Sequence, residues 1–390
     1  MSSEGLFIRL ETIGRKSGRS HTVLLRFITY GNQVVVFPDK NSRQDWLLNL
    51  KSDPRVRVHT GGRVLEGTAS VARVRDFQDP VLSVFSRKYG DEVVRGTYWG
   101  AREYVQIGLG AEVSTEDFNE LVYADLEAAF DGVADDYDRH IFGNPVNVWL
   151  RNRSVGLMLK TFKPGDVILE VGCGTGTETL SLARRGMRVI ATDLSSKMLK
   201  VLQTKAEAAG LSDFVVPIHS RPYALLEKLR DAGYAHVDGA YSTYGAVNTE
   251  PRLSDFFENL HSLLQPGGKL ILGVWNKYCL YEIAGYSLKA NPMMAVARLR
   301  NPVPVGKSRF CVSTNAYSIK SLDAVVERYF RLDRAYGVCV LLPPSNLLRY
   351  MPPEPFLALT KSFEMRMGGR YPWNRLGDHF LGVYSRNTET

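Results

Sequence analysis

Residues 169–176 consist of Leu-Glu-Val-Gly-Cys-Gly-Thr-Gly, an apolar run that ends in closely spaced glycines. Glycines after a strand let the backbone approach a ligand closely. The amides at the start of a following helix favour negative charge or polar oxygens. Several cofactors use this arrangement, so the loop alone predicts only a nucleotide-type ligand.

Strand and helix patterns alternate around this loop. A helix is predicted at 178–185 with Gly186 as its stop, and another, capped by Ser195, runs to residue 209 with Gly210 as its stop. Alternation of this kind favours right-handed βαβ units and a parallel sheet. The strands are predicted at 167–171, 188–193, 214–218, 237–241 and 270–275.

The spacing of the loop separates two ligand classes. A dinucleotide fingerprint that begins at Gly172 needs glycine or alanine at position 177, where the sequence has Thr177. The loop is GxGxG instead, and Glu170 lies two residues before its first glycine. A second acid, Asp193, ends the next predicted strand.

Together these features closely resemble motif I of class I S-adenosylmethionine-dependent methyltransferases, and the likeness continues through residues 266–270. The resemblance implies a Rossmann-like fold with a mostly parallel sheet and an antiparallel C-terminal hairpin at 330–333 and 380–384. It implies that the acid and glycines hold the methionine part of S-adenosylmethionine, and that Asp193 binds the ribose hydroxyls. The implied cofactor residues are Tyr137, Glu170, Gly172, Cys173, Gly174, Thr175, Gly176, Asp193, Leu194 and Ser242.

Several of these residues have structural alternatives. Glu170 can be a cap or surface ion-pair partner, and Asp193 a turn residue. Cys173 fits a space-filler better than a nucleophile, because no basic partner lies near it in sequence. Tyr137 can lie over the sulfonium or pack a helix. The acid usual after the third strand is absent from residues 219–222.

The methyl acceptor is expected to meet Tyr244 and Asn248, which follow the fourth strand, and His379, which leads the last one. Each also fits plain packing. In-line methyl transfer needs mainly positioning, and a base only when the acceptor carries a proton. No catalytic residue is therefore named, and no metal site is predicted. The resemblance implies a lid at 276–376, whose aromatic and apolar residues favour an apolar or aromatic small molecule or simply form core.

The first 110 residues predict a small β-barrel from short strand patterns and turns. The basic turn around Arg15, Lys16 and Ser17 is a natural phosphate site. With residues 46–50, 53–56 and 61–63, it resembles the deazaflavin-dependent nitroreductase family, a split β-barrel, over residues 5–110. The resemblance implies that the turn holds the phosphate of a deazaflavin or flavin. The alternative is a barrel kept for packing or homodimerisation.

Composition sets the remaining expectations. The net charge is +8, but no basic-aromatic array favours nucleic acid as the partner. The four cysteines are scattered, which predicts no disulfide framework and a cytoplasmic location. No signal peptide or run of roughly 20 apolar residues for a membrane span is visible.

The sequence predicts two domains, residues 1–112 and 113–390. The leading hypothesis is methyl transfer from S-adenosylmethionine to a small molecule. The alternatives are a bifunctional reductase-methyltransferase and a cofactor-binding scaffold without turnover. The acceptor, the methylated atom and the oligomeric state are left open.

Overall fold

The computed structural model describes residues 7–39, 44–60, 63–74, 79–90, 92–94, 98, 101–110, 115–299 and 314–387. These residues divide into two compact units, which meet in sequence between Val133 and Ala134. The domain limits 1–112 and 113–390 stay a sequence prediction. Outside the described residues lie Gly61 and Gly62 of the segment 61–63, one of the four cysteines, Cys311, and residues 300–313 of the expected lid.

Six strands of the described part of the first unit form a closed barrel in the order β1-β2-β3-β6-β5-β4. Neighbouring strands are antiparallel, and β1 pairs with both β2 and β4, which closes the ring. The predicted split barrel is confirmed. The strands are β1 (Phe7–Ile13), β2 (Ser20–Tyr30), β3 (Gln33–Val36), β4 (Arg55–Thr60), β5 (Arg63–Arg73) and β6 (Glu103–Leu109).

The interior of the barrel is built from alternate positions of its strands. Ile8 and Leu10 of β1 are fully buried and pack with Val34, Val36 and Val58. This period of two is the pattern of a strand with one buried face. The sequence analysis missed β1, although its buried positions follow that period.

Helices α1 (Asp45–Ser52), α2 (Pro80–Tyr89) and α3 (Thr115–Asp131) accompany the barrel. A buried ion pair joins the last two to β2. Lys88 Nζ forms an ion pair with Asp125 Oδ1 at 2.5 Å and also donates to the Phe27 carbonyl at 3.0 Å. Asp125 accepts the Thr29 amide at 2.6 Å. Burial lowers the pKa of Lys88, while Asp125 opposes that shift.

The second unit is built on a seven-stranded sheet of order β12-β13-β11-β10-β7-β8-β9. The five strands from β11 to β9 are parallel neighbours, and β13 is antiparallel to both β11 and β12. The predicted mixed sheet and its antiparallel closing pair are confirmed. The strands are β7 (Val167–Val171), β8 (Arg188–Asp193), β9 (Val215–His219), β10 (Val237–Thr243), β11 (Leu264–Trp275), β12 (Phe330–Val338) and β13 (His379–Arg386).

Helices cover both faces of this sheet. On β11, Leu270 and Leu272 belong to a core shared with Phe257, while Ile271 lies in a second core with Met158. Strands buried on both faces are continuous apolar runs, as these are. The helices are α4 (Tyr137–Phe142), α5 (Pro145–Thr161), α6 (Thr177–Ala183), α7 (Ser196–Ala208), α8 (Leu225–Asp231), α9 (Ala246–Thr249), α10 (Leu253–Leu263), α11 (Leu280–Leu288), α12 (Pro292–Ala295), α13 (Ile319–Val326) and α14 (Phe356–Met367).

Two further observations concern the predicted environment of the chain. Within the described ranges, no helix combines the length and the apolar character needed to cross a membrane. Cys173, Cys279 and Cys339 are buried free thiols.

Candidate functional site

The glycine loop lies at the carboxyl end of β7, directly before α6. Gly172, Gly174 and Gly176 have φ angles of +78°, +52° and +79°, a region that favours glycine. A Cβ on Gly176 would lie 2.1 Å from Leu202 Cδ1, so a side chain there would force the buried Leu202 on α7 to move. All three positions favour glycine by their backbone conformation, and Gly176 does so by its packing as well.

Asp193 ties the end of β8 to this loop. Its Oδ2 accepts the Gly174 amide at 2.8 Å, and its Oδ1 accepts the Ser195 amide at 2.8 Å. The backbone amides of Gly172 and Cys173 bond to the Thr192 carbonyl at 2.9 and 3.0 Å. The ends of two adjacent parallel strands are thereby fixed against each other, with a carboxylate between them.

Glu170 is buried inside the unit and is not a surface carboxylate. Its Oε2 accepts hydrogen bonds from the hydroxyls of Thr179 and Tyr241, the latter at 2.6 Å. Burial and then repulsion from Glu178 raise the pKa of Glu170 to about 8, against the lowering effect of the two hydroxyls. Its side chain joins β7, α6 and β10 beneath the loop.

A buried arginine connects three of the elements around the site. Arg151 on α5 forms an ion pair with Glu178 on α6 and donates to the Tyr137 hydroxyl at 3.4 Å. The Arg151 guanidinium carbon also lies 5.6 Å from the centre of the Tyr244 ring. Tyr137 itself approaches the loop, since a Cβ on Gly174 would lie 3.7 Å from its Cε1.

Thr175 is held by a series of polar side-chain contacts that the sequence analysis missed. Its hydroxyl bonds to Asp138 Oδ1, and Asp138 Oδ2 forms an ion pair with Lys205 Nζ at 2.6 Å. These contacts link α4, the glycine loop and α7. The acidic run at 135–138 beside Tyr137 was the available signal, but its partner on α7 is 67 residues away.

Leu194 and Ser242 contact backbone at the same sheet edge. The Leu194 carbonyl lies 2.8 Å from His219 Nε2. The Ser242 hydroxyl is fully buried and donates to the Val171 carbonyl at 2.9 Å. These contacts bring both residues to the strand ends, and their cofactor roles stay predictions.

Asn248 is fully buried, and its amide joins backbone groups of distant segments. Its Nδ2 donates to the Asn315 and Trp275 carbonyls at 2.7 and 3.2 Å, while its Oδ1 accepts the Trp275 amide at 2.9 Å. These contacts secure the end of β11. The predicted role toward substrate stays a prediction, and these bonds do not support it.

Tyr244 and His379 lie together. Their ring centroids are 5.4 Å apart with an interplanar angle of 76°. Tyr244 has a φ of +56°, and its hydroxyl donates to the Leu150 carbonyl, which anchors this strained residue to α5. The two substrate candidates from distant parts of the sequence are therefore brought into contact.

A buried charged network supports His379. His379 Nδ1 lies 3.0 Å from Asp378 Oδ2, and Asp378 Oδ1 lies 2.5 Å from Arg298. Arg298 Nε bonds to Glu282 at 2.7 Å. The sequence analysis named His379 but missed these partners, because Arg298 lies 80 residues from Asp378.

The basic turn of the first unit is closed by its own backbone. The Gly14 amide donates to the Arg19 carbonyl at 2.8 Å, and Ser17 Oγ lies 3.2 Å from His21 Nε2. Arg15 is tied to α1 through Asp45 and Asn49, at 3.1 Å each. Lys16 is exposed at the turn.

Comparison with known proteins identifies two families along the chain. Residues 168–268 match the methyltransferase domain family, and residues 4–88 match the F420H2-dependent quinone reductase family. The first match spans the sheet edge described above, and the second includes the basic turn.

Individual relatives are also similar to this chain. The chain is 32% identical over 132 residues to the S-adenosyl-L-methionine-dependent Diels-Alderase iccD of Talaromyces variabilis, which covers 33% of this chain and 43% of the relative. It is 28% identical over 158 residues to the tRNA 5-carboxymethoxyuridine methyltransferase of Escherichia coli K12, with 39% and 58% covered. The chain thus spans about half the length of these curated relatives.

A solved structure is also similar. The N-methyltransferase NodS from Bradyrhizobium japonicum WM9, in complex with S-adenosyl-L-homocysteine, matches with a TM-score of 0.41 and 12% identity, over 68% of this chain and 99% of that chain. From the two family matches, this chain contains a methyltransferase domain in its C-terminal part and an F420H2-dependent quinone reductase domain in its N-terminal part.

Proposed function

We propose that this protein transfers a methyl group from S-adenosylmethionine to a small-molecule acceptor at the carboxyl edge of the second unit's sheet. The hydrogen bond between Asp193 and the Gly174 amide carries this proposal, because it sets a carboxylate beside a glycine loop of positive φ. A carboxylate there can accept hydrogen bonds from the ribose hydroxyls of the donor. Glycines, which have no side chain, leave space for its methionine part. The residues present therefore fit the donor.

The chain's own residues then perform positioning rather than covalent chemistry. Asp193 orients the donor, and the loop glycines admit it. The aromatic ring of Tyr137, which neighbours Gly174, stabilises positive charge on the sulfonium by about 0.5–2 kcal/mol. Holding the acceptor at near-attack distance supplies several kcal/mol of the barrier reduction.

Substitution of Asp193 tests the donor site. We expect Asp193→Ala to weaken S-adenosylmethionine binding in calorimetric titration by about 1–3 kcal/mol, because the ribose loses its acceptor. Asp213→Ala, at an exposed residue before β9, serves as the control and should bind as the unsubstituted protein does. Unchanged affinity in Asp193→Ala would refute the ribose role, and no binding by the unsubstituted protein would refute methyl transfer.

The acceptor is proposed to be apolar or aromatic, and the barrel is proposed to support homodimerisation. Both proposals are independent of the donor site. The acceptor proposal is tested by measuring transfer of a labelled methyl group from S-adenosylmethionine to a set of apolar, aromatic and polar small molecules. Sedimentation of the full chain examines the second, and a monomer at micromolar concentration would contradict it.

A second candidate function is reduction by a bound deazaflavin in the barrel, which would make the protein bifunctional. The family match at residues 4–88 and the exposed Lys16 in the basic turn favour it. Arg15 is engaged with Asp45 and Asn49, so Lys16 is the better placed cation for a phosphate. In this proposal, Ser17 and the turn amides complete the phosphate contacts.

Binding of coenzyme F420 tests this candidate. We expect Lys16→Ala to lower F420 affinity, measured by fluorescence, because each charge-assisted phosphate contact contributes about 1.5–3 kcal/mol. Arg9→Ala, an exposed position on β1, is the matched control and should leave affinity unchanged. If the full chain binds no F420, the bifunctional hypothesis is excluded. If the full chain also neither binds S-adenosylmethionine nor transfers a methyl group, neither proposed catalytic function remains.

A further inference from the structure

The Asp378–His379 pair lies at the sheet edge that carries the glycine loop. His379, the first residue of β13, is registered with Trp275, the last residue of β11. Because β13 runs antiparallel to β11, its amino end meets the carboxyl ends of the parallel strands. A side chain at this end of β13 can therefore face an acceptor bound beside the donor.

A series of contacts connects His379 to the glycine loop. Tyr137 approaches Gly174, and the Tyr137 hydroxyl accepts from Arg151 at 3.4 Å. Arg151 lies 5.6 Å from the Tyr244 ring centre, and that ring lies 5.4 Å from the His379 ring. The histidine thus belongs to the same wall of side chains as the loop.

The hydrogen bond to Asp378 defines which nitrogen of His379 carries a proton. An ionised carboxylate only accepts, so Nδ1 donates to Asp378 Oδ2. In neutral imidazole, Nε2 then holds the lone pair. Among the described residues, Nε2 has no protein hydrogen-bond partner, and the side chain keeps 15% of its surface exposed.

The surroundings keep Asp378 ionised. Burial alone would raise the pKa of Asp378, but attraction to Arg298 and His379 holds it well below its usual range. Trp275 Nε1 donates to Asp378 at 3.3 Å, and Arg298 is itself paired with Glu282. Asp378 is therefore a fixed anion that accepts the Nδ1 proton of the neighbouring imidazole ring.

We propose that His379 Nε2 removes the proton of a neutral phenolic acceptor during methyl transfer, with Asp378 and Arg298 as positioning residues. This inference rests on the methyl transfer proposed above. The bond between the acceptor oxygen and the methyl carbon forms as the carbon–sulfur bond breaks, and the sulfur keeps that electron pair. The acceptor proton passes to Nε2, so the positive charge of the sulfonium ends on the imidazolium and then leaves with a proton to water.

The acidity of the acceptor decides its class. The pKa of imidazolium in general lies near neutrality, that of a phenol is about 10, and that of an aliphatic alcohol is far higher. Proton transfer to imidazole is therefore much less costly from a phenol. An amine can react in the small neutral fraction present in solution, so it has less need of a base.

Other charged groups around His379 are mutually paired. Tyr244 faces it from the segment after β10, and burial raises the pKa of that hydroxyl. Arg151 on α5 stands behind the Tyr244 ring. Its charge is matched by Glu178, so the immediate influence on His379 is the Asp378 anion.

The test uses two phenols of different acidity and the full chain. The probes are p-cresol, which is neutral at pH 8, and 4-nitrophenol, which is largely ionised there. His379→Asn preserves a donor toward Asp378 and removes the nitrogen that accepts the proton. His261→Gln, at another part-buried histidine of the second unit, is the matched control. Calorimetry first establishes that each protein binds S-adenosylmethionine.

We expect His379→Asn to lose roughly 100- to 10,000-fold in kcat toward p-cresol but less than about tenfold toward 4-nitrophenol. Added imidazole should restore part of the p-cresol rate, and His261→Gln should match the unsubstituted protein. Equal losses on both phenols, no loss, or transfer to neither phenol by a donor-binding protein would overturn the inference. Absence of donor binding by the unsubstituted protein instead refutes the proposed function.

The unsubstituted protein gives an independent measurement if His379→Asn does not fold. A protein that removes the proton should methylate p-cresol at a rate that rises with pH less steeply than the fraction of phenolate does. A rate that increases tenfold per pH unit, in proportion to phenolate, would show that no group on the protein takes the proton. That result overturns the inference without any variant.

Discussion

Glu170 is a buried carboxyl whose pKa lies near 8, above its ordinary value of 4.5. The native state therefore binds more protons than the unfolded chain between these pH values. The stability that this residue contributes is present below pH about 4.5 and is lost as the pH rises through 8. Folding of the second unit is thus linked to proton uptake at the base of the glycine loop.

Replacement of Glu170 by glutamine should remove this linkage. We expect Glu170→Gln to gain stability relative to the unsubstituted protein by about 1.4 kcal/mol per pH unit between pH 5 and 8, since glutamine cannot ionise. Urea unfolding of the ligand-free protein at several pH values measures the difference. Glu207→Gln, an exposed position on α7, is the control. A constant difference between Glu170→Gln and the unsubstituted protein would contradict the linkage.

Individual residues also show where sequence reasoning ends. The acids Glu170 and Asp193 were identified from their places beside the loop, and the structure brings both to the expected strand ends. Their hydrogen-bond partners were not predicted, because Tyr241 lies 71 residues from Glu170. A motif fixes the residue type at a position, whereas its partners depend on the packing of distant elements.

At the scale of elements, α14 supports the segment that follows β12. Glu364 on this helix is buried and accepts the backbone amides of Cys339 and Leu341, each at 2.9 Å. It also lies 3.4 Å from the Leu342 amide. Burial raises the pKa of Glu364, although these amides oppose the shift. The helix thereby satisfies backbone donors that β12 leaves at its end.

Glu364→Gln should weaken this attachment. A carboxamide offers a single acceptor oxygen, so at least one buried amide loses its partner, and we expect a loss of about 1–3 kcal/mol in the free energy of unfolding. Hydrogen exchange at residues 339–342 should accelerate in parallel. Arg366→Gln, an exposed residue on the same helix, provides the comparison and should leave both quantities unchanged. Unaltered exchange in Glu364→Gln would show that the amides do not depend on this carboxylate.

A clear period did not guarantee that an element was predicted, since β1 was missed although its buried positions alternate. Helix α2 carries end signals that the sequence shows directly, with Pro80 at its start and Gly90 after its end. Helix α5 was missed, and its buried positions, including Val146 and Met158, are separated by mixed polar residues. Tertiary contacts on several sides of α5 weaken the amphipathic pattern that sequence analysis relies on.

At the scale of the whole molecule, each unit has its own apolar core. A ligand that binds only one unit stabilises that unit against local opening. Binding of the donor should therefore increase protection from hydrogen exchange in only one part of the sequence. This expectation holds regardless of which acceptor the protein uses.

We expect saturating S-adenosylmethionine to slow hydrogen exchange in residues 134–299 and 314–387, most strongly around the glycine loop. At 100 times the dissociation constant, the linked stabilisation is about 2.7 kcal/mol. Exchange followed by mass spectrometry should show little change in strands β1 to β6. Strong protection of the barrel by this ligand would contradict a donor site confined to the second unit. Asp193→Ala at the same S-adenosylmethionine concentration controls for nonspecific effects, because its protection should be reduced.

Arg298 has a consequence for how such a protein can be diversified. Its guanidinium bonds to Glu282, to Asp378 and to the Asn276 carbonyl, so it connects the segment after β11 with the start of β13. Transplanting residues 276–299 alone into a related protein with no acid at the position of Asp378 would bring a buried cation without the acid that precedes the last strand. In such an exchange Asp378 must be transferred together with this segment, so two stretches far apart in the sequence have to change together.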